Sequence, residues 1–138
     1  MAGSRGIGRR IGAVIAGLAT NMIVTTATDM VLHATGVFPP LGQRMAGALF
    51  VLALAYRIVF GIAGCYVAAR LAPDRPRQHA VALGVVGIVI SGVGTIVMWG
   101  AGPAWYPLAL IATALPCGWI GGGLRERQLA VRGAVRSR

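Results

Sequence analysis

A row of polar side chains in the first apolar segment contains the residue types that could do chemistry. Asn21, Thr25 and Asp29 recur at four-residue spacing, and Thr28 stands beside them. At about 100° per residue, these side chains fall within one helix face roughly 100° wide. A polar face on a membrane-spanning helix must look at protein or water rather than lipid. The spacing therefore predicts a buried polar site with Asp29 at its centre.

Asp29 has one candidate counter-charge. It is the only acidic residue within the long apolar segments, and Arg57 is the only basic one. A lone charge at the centre of a bilayer costs at least ~2.5–3.5 kcal/mol, so such groups tend to pair. We predict an ion pair between Asp29 and Arg57, with Asn21, Thr25 or Tyr56 completing its hydrogen bonds.

Two interpretations of this pair stay open. Asp29 is either a proton- or substrate-coupled carboxylate in a transport pathway, or a member of a neutral pair that fixes which helix faces which. The second is favoured, because the pair has no third ionisable partner to relay protons. His33 is in register with the polar row, but it is expected at the membrane interface as a solvated histidine.

The elements that must position these side chains are four long apolar segments. The chain is 57% hydrophobic and only 12% charged, whereas soluble domains carry about a quarter charged residues. A spanning helix needs about 20 mostly apolar residues. We therefore predict one all-α domain over residues 1–138, an antiparallel bundle of four transmembrane helices. The predicted spans are about 11–32, 45–69, 80–100 and 105–122, separated by loops at 35–42, 70–78 and 101–104.

The arginines predict the orientation of these helices. All 13 basic residues are arginine, and eleven of them lie in the N-terminal segment, the second loop or the C-terminal tail. Of the other two, Arg44 is predicted on the opposite side of the membrane and Arg57 lies within a span. Because positive charge stays cytoplasmic, we predict that both termini are inside. The formal charge of +10 is thus interpreted as a topology signal, and no nucleic acid partner is predicted.

Arginine without lysine, with abundant Ala, Gly and Val, is typical of a GC-rich bacterial genome. The predicted location is therefore the bacterial inner (cytoplasmic) membrane. A cleaved signal peptide is the alternative for the first span, but its apolar run exceeds the usual 7–15 residues. The basic tail, residues 124–138, either lies along the anionic inner leaflet or is a disordered end that serves orientation. The disordered form is slightly favoured.

Rows of small residues predict the packing surfaces. Helices in lipid associate through close backbone contact rather than through apolar attraction. The second segment presents Gly61 and Gly64 along one side, and the third presents Gly84, Gly87 and Ser91. We predict that these rows pack within the bundle, with homo-oligomer formation as the alternative. Cys65 and Cys117 belong to no metal or redox pattern and are interpreted as small packing residues.

The sequence contains few residues that could act in catalysis. His33 and His79 fall on opposite sides of the predicted membrane and cannot share a metal. No Ser/His/Asp or Cys/His constellation occurs at one membrane depth. No metal, cofactor or catalytic residue is therefore predicted, and the chain is interpreted as a non-enzyme.

Two stretches carry a resemblance to other proteins. They are GCYVAARLAP (Gly64–Pro73), followed by a Gly-rich segment, and GPAWYPLALIATALPC (Gly102–Cys117). Both resemble small four-helix integral membrane proteins of bacteria whose function is unknown. The resemblance implies the four-span topology and carries no chemistry with it.

The leading functional hypothesis is a small integral membrane protein, structural or accessory to a larger complex, with the lipid bilayer as its surroundings. The alternative is a small dimeric proton-coupled transporter that uses Asp29. Four short spans and one carboxylate in the first helix resemble the small multidrug exporters. Here the acid is an aspartate rather than a glutamate near mid-helix, and Arg57 is expected to neutralise it. An intramembrane enzyme acting on lipids or quinones is the third, least favoured hypothesis.

Overall fold

The computed structural model of the protein describes residues 2–137, and over this range it is all-helical. The four helices are α1 (Ala2–Ala34), α2 (Gly47–Leu71), α3 (Pro76–Val97) and α4 (Trp105–Arg136). The described residues contain no strand. Each helix is long and apolar enough to cross a membrane. The predicted all-α class and the four apolar helices are therefore confirmed.

The helices differ in length from the predicted spans mainly at the polar ends. α1 has 33 residues and α4 has 32, so each rises about 50 Å, against about 30 Å for a hydrocarbon core. The surplus of α1 is its arginine-rich start, which precedes the predicted span. That of α4 is the tail, which contains Leu124 and continues as helix to Arg136.

The preference for a disordered tail was therefore wrong for its described part; Arg138 lies outside the described residues. Two contacts explain why the tail stays helical. Arg77 on α3 lies 3.5 Å from the Glu126 carboxylate, and Tyr66 on α2 donates a hydrogen bond to Gln128 at 2.5 Å. The intervening Arg, Gln, Leu and Ala residues are also strong helix formers.

The connections also depart from the predicted loops. The second is shorter than expected, because Pro76 begins α3, a position where its missing N–H costs nothing. The residue before it, Arg75, takes a left-handed conformation with φ 40°, which completes the tight turn. The first connection extends to Ala46, and the third begins at Met98, where α3 is capped.

Contacts define two ends of the molecule. At the first, which we call the termini end, Arg10 of α1 bonds Asp74 at 2.6 Å, near the α2–α3 connection. At the second, the loop end, Phe50 of α2 packs against Tyr106 of α4 with ring centroids 5.1 Å apart. α2 contacts all three other helices, whereas α1 has no close backbone approach to α4 within the described chain.

The tightest packing lies toward the termini end and depends on glycine. A Cβ added at Gly64 would lie 2.7 Å from the Gly17 carbonyl oxygen of α1, and one at Gly84 would lie 2.9 Å from the Ala114 oxygen of α4. Nearby, the buried cluster consists only of small residues and one leucine: Cys65, Ala68, Ala69, Ala80, Leu83 and Cys117. The core is thus built from backbone contact rather than from large side chains.

The predicted glycine rows serve different helices. A Cβ added at Gly61 would lie 3.3 Å from the Cys117 sulfur of α4, and one at Gly87 would lie 3.5 Å from the Ala114 Cβ. A third row, on α4, was not predicted from the sequence. Cβ atoms at Gly118 and Gly121 would lie 2.8 Å from backbone atoms of α3 and α2 respectively. The spacing of Gly118, Gly121 and Gly122 is the signal that could have found it.

A single methyl group at Gly64 should be enough to disturb this contact. We expect Gly64→Ala to lower stability by about 1–3 kcal/mol, because the backbones of α1 and α2 must separate. Gly92→Ala is the matched control: it lies in α3 with open space around it, and it should be neutral or stabilising by up to about 1 kcal/mol. Unfolding midpoints in mild detergent measure both. Equal midpoints for the two variants would contradict the close approach.

Candidate functional site

Asp29 and Arg57 form the centre of the candidate site. The Arg57 guanidinium donates to one Asp29 carboxylate oxygen at 2.7 Å. The Tyr56 hydroxyl donates to the other carboxylate oxygen. The predicted pair is therefore present in the structure, and of the three candidate partners it is Tyr56 that completes it. We call Asp29, Tyr56 and Arg57 the α1–α2 clasp, since the acid comes from one helix and both donors from the other.

Local helix geometry explains this arrangement. Tyr56 and Arg57 are consecutive on α2, so their side chains leave the helix about 100° apart and converge on Asp29 from two directions. The side chains of Asp29 and Arg57 are 29% and 33% exposed, which leaves most of each charge removed from the surroundings. Hydrogen bonds to an ionised donor or acceptor are shorter and stronger than those between neutral groups.

The pairing by Arg57 is one-sided. One terminal nitrogen, Nη2, makes the contact, while Nε is buried without a hydrogen-bond partner. A fork-like arginine–carboxylate pair would use two parallel bonds. Arg57 contacts only one Asp29 oxygen, so the other oxygen accepts a hydrogen bond from the Tyr56 hydroxyl. The clasp therefore holds two neighbouring side chains of α2 rather than one.

Thr25 and Asn21 lie one and two turns along α1 from Asp29, as predicted, but they do not join the clasp. The Thr25 hydroxyl instead donates to the Asn21 side-chain oxygen at 3.5 Å, at the long limit for a hydrogen bond. Thr28, the remaining member of the polar row, bonds the Val24 carbonyl of its own helix at 2.8 Å. The predicted polar row thus separates into a clasp and a set of locally satisfied side chains.

His33 is committed elsewhere. Its Nδ1 lies 2.9 Å from the Pro39 carbonyl oxygen, and its ring meets Phe38 edge-on at 5.4 Å between centroids. Phe38 is itself buried, at 4% exposure. His33 therefore closes the α1–α2 connection and is not part of the candidate site.

A central cavity of about 310 Å³ adjoins the clasp. All four helices contribute to its wall. Asn21, Thr25, Asp29 and Arg57 line it, and Ser91 of α3 and Thr113 of α4 add hydroxyl groups. Thr113 was not predicted as a site residue, because a lone threonine in an apolar helix usually bonds its own backbone. Thr113 does so here too, bonding the Ala109 carbonyl at 2.8 Å.

The cavity reaches the molecular surface between α1 and α3. Met22 and Ile90 both line it, yet they are 55% and 47% exposed. Gly61, Gly84 and Gly87 also line it, at the positions where α2 and α3 pack against α4. The result is a small cavity with an apolar mouth and a mainly apolar wall that contains a few polar groups. Its size is at the lower limit of known small-molecule sites.

Cys65 and Cys117 are both buried free thiols, in agreement with their interpretation as packing residues. Cys117 contacts the Ile58 carbonyl at 3.6 Å. Among the described residues, no three His, Cys, Asp or Glu side chains are grouped closely enough to hold a metal.

Comparison with known proteins adds no relative to this description. No family model, no curated protein and no solved structure matches the chain.

The clasp predicts strong coupling between its two charges. We expect Asp29→Asn and Arg57→Gln each to lower stability by about 2–4 kcal/mol, because each leaves the other charge unpaired. The double variant should recover at least ~1 kcal/mol relative to the sum. Denaturant unfolding in mild detergent measures all four proteins.

The exposed Arg10–Asp74 pair is the matched control for this cycle. Its atoms are as close, at 2.6 Å, but the side chains are 54% and 43% exposed, so its coupling should stay below ~1 kcal/mol. If Asp29→Asn is neutral or stabilising, the clasp does not stabilise the fold. Asp29 would then be a carboxylate with a functional role rather than a structural one.

Proposed function

We propose that this chain is a small bacterial inner-membrane protein that acts without catalysis, as a structural or accessory subunit of a larger membrane assembly. The observation that carries the proposal is the engagement of both Asp29 carboxylate oxygens by side chains of α2. The only opposed charges of the apolar segments thereby join two helices. A carboxylate that must gain and lose protons in each transport cycle needs a free oxygen or a displaceable partner.

The proposed topology is an antiparallel bundle with both termini in the cytoplasm. Two ion pairs support it. Arg10–Asp74 links the start of α1 to the α2–α3 connection, and Arg77–Glu126 links that region to the end of α4. The segments that carry eleven of the 13 arginines are thereby gathered at the termini end. The positive-inside rule directs that end to the cytoplasm.

The face of α1 that lacks an internal partner is the proposed contact surface for a partner subunit. α1 packs mainly on α2, meets α3 over a shorter stretch and has no close backbone approach to α4 along the described chain. Ile23 and Met30 on this helix are each 67% exposed. An apolar transmembrane helix of another subunit could pack there. A second copy of this chain is the homo-oligomeric form of the same contact.

Site-specific photocrosslinking in native membranes tests the accessory role. A photoreactive residue at Ile23 or Met30 should give one discrete adduct with a membrane protein, because the α1 face is in contact with its partner. The matched control is Val93 on α3, which is 57% exposed and should contact only lipid. A chain that purifies alone and gives no α1 adduct, or equal adducts from Val93, would refute the proposal.

The central cavity favours one second candidate, a dimeric proton-coupled transporter. The cavity is large enough for a small substrate and reaches Asp29. In this mechanism, protonation of Asp29 would release Arg57 and Tyr56. A cationic substrate would then displace that proton and bind to the ionised carboxylate. The clasp must then open once per transport cycle, which makes transport dependent on pH.

Export assays separate the two candidates. If the chain is a transporter, cells expressing it should expel a cationic dye in a pH-dependent way, and Asp29→Asn should abolish the export. Asp74→Asn is the matched control, because Asp74 is an exposed acid outside the cavity; export should persist in that variant. Dye export that persists in the Asp29→Asn variant would exclude this mechanism. Absence of export by the wild-type chain would leave the accessory role.

A further inference from the structure

We propose that the chain binds one anionic phospholipid in a groove between α3 and α4 at the termini end. The phosphate would lie against Arg75 and Arg77, and one acyl chain would run along α3 beneath Trp119. The groove has a volume of about 660 Å³ and is separate from the central cavity. The inference rests on the proposed membrane location of the four helices, and the accessory role does not depend on it.

The basic end of the groove has one uncompensated positive charge. Arg77 is held in place: its guanidinium lies 4.1 Å from the centre of the Trp119 ring and 3.5 Å from Glu126. The Arg75 side chain is exposed, and its guanidinium forms no ion pair within the described part of the chain. Two arginines against one glutamate match the single charge of a phosphodiester.

The backbone adds to this attraction. Arg75 precedes the first turn of α3, a helix of 22 residues without a side-chain cap. The start of a helix carries a partial positive charge and free N–H groups. The Arg75 backbone is left-handed, with φ 40°, and forms part of the tight turn that begins α3. An anion at this position would meet an arginine and a helix dipole together.

Apart from Gln78 and Glu126, the rest of the groove is apolar. It has the length of one membrane leaflet. Val81, Ala82 and Val85 continue its wall along α3, and Val85 is 49% exposed. From Arg75 to Val85 the helix rises about 15 Å, half of a hydrocarbon core of about 30 Å. Trp119 is 60% exposed and has the ring type that prefers the interface between headgroups and chains.

A lipid fits this combination better than a free anion does. Free phosphate would contact only the arginines and would leave the apolar wall of the groove without a specific ligand. A zwitterionic lipid would bring its own cation toward Arg75 and Arg77. Basic sites between helices at the cytoplasmic surface are a general solution for anionic headgroups. The occupant is therefore inferred to be a phospholipid with net negative charge.

Fluorescence quenching by brominated lipid tests the inference. In the full-length chain carrying Trp99→Phe and Trp105→Phe, Trp119 is the remaining tryptophan. The protein is reconstituted in phosphatidylcholine bilayers containing either phosphatidylglycerol or phosphatidylcholine brominated near the headgroup. We expect the anionic lipid to associate near Trp119 about fivefold more strongly, the preference that one arginine gives at an anionic surface.

Variants and a competing ion make the test specific. Arg75→Gln should bring the preference close to one, whereas Arg127→Gln, an exposed arginine outside the groove, should preserve it. Circular dichroism and unfolding midpoints confirm that the variants are folded. An equal loss of the lipid preference in both variants would show that it comes from the overall positive charge and not from the groove. Displacement by inorganic phosphate would show an ion site only. Either result, or no preference in the parent, overturns the proposal.

The same experiment distinguishes this inference from the proposed location. Quenching of Trp119 by both brominated lipids, without preference, would place the residue in the bilayer and reject only the lipid site. No quenching by either lipid would reject the lipid site and also the proposed position of α4 in the membrane.

Discussion

The Asp29 carboxylate between α1 and α2 is the constraint from which the architecture follows. A charge in an apolar helix needs a partner at the same depth, and Arg57 with Tyr56 supplies it. Once these three side chains meet, the rotation and the register of α1 against α2 are fixed. The close contact of Gly17 with Gly64, three turns along α1, then follows from that register. Electrostatics selects the arrangement, and glycine permits it.

The two halves of the molecule obey different packing rules. Toward the termini end, small residues let four backbones approach, and the buried cluster contains one side chain larger than cysteine. Near the clasp, the same helices surround a cavity of about 310 Å³. In water, apolar burial would tend to close such a space. In lipid that driving force is largely absent, so an open volume beside the ion pair costs less than it would in water.

The sequence predicted those parts of the fold that depend on one helix at a time. The length of the apolar segments predicted the four helices. The presence of one acidic and one basic residue within those segments predicted the Asp29–Arg57 pair. Both predictions were possible because a bilayer severely restricts the length of a spanning helix and the charges that it can carry. It did not predict the choice of Tyr56 over Asn21 and Thr25, which depends on the rotation of α2. The α4 glycines, Gly118 and Gly121, were missed because their partners lie on two other helices. The helical tail was missed because its stability comes from contacts with α2 and α3.

The spacing of the clasp along the chain has a consequence for biosynthesis. Asp29 and Arg57 are 28 residues apart, so under the proposed topology the acid leaves the ribosome well before its partner. Alone, α1 would enter lipid with an exposed aspartate, at a cost of roughly 2.5–3.5 kcal/mol. The favourable unit for release from the translocon is the α1–α2 hairpin, in which the charges have already met. Under the proposed topology, the clasp therefore favours insertion of α1 and α2 together over insertion of α1 alone.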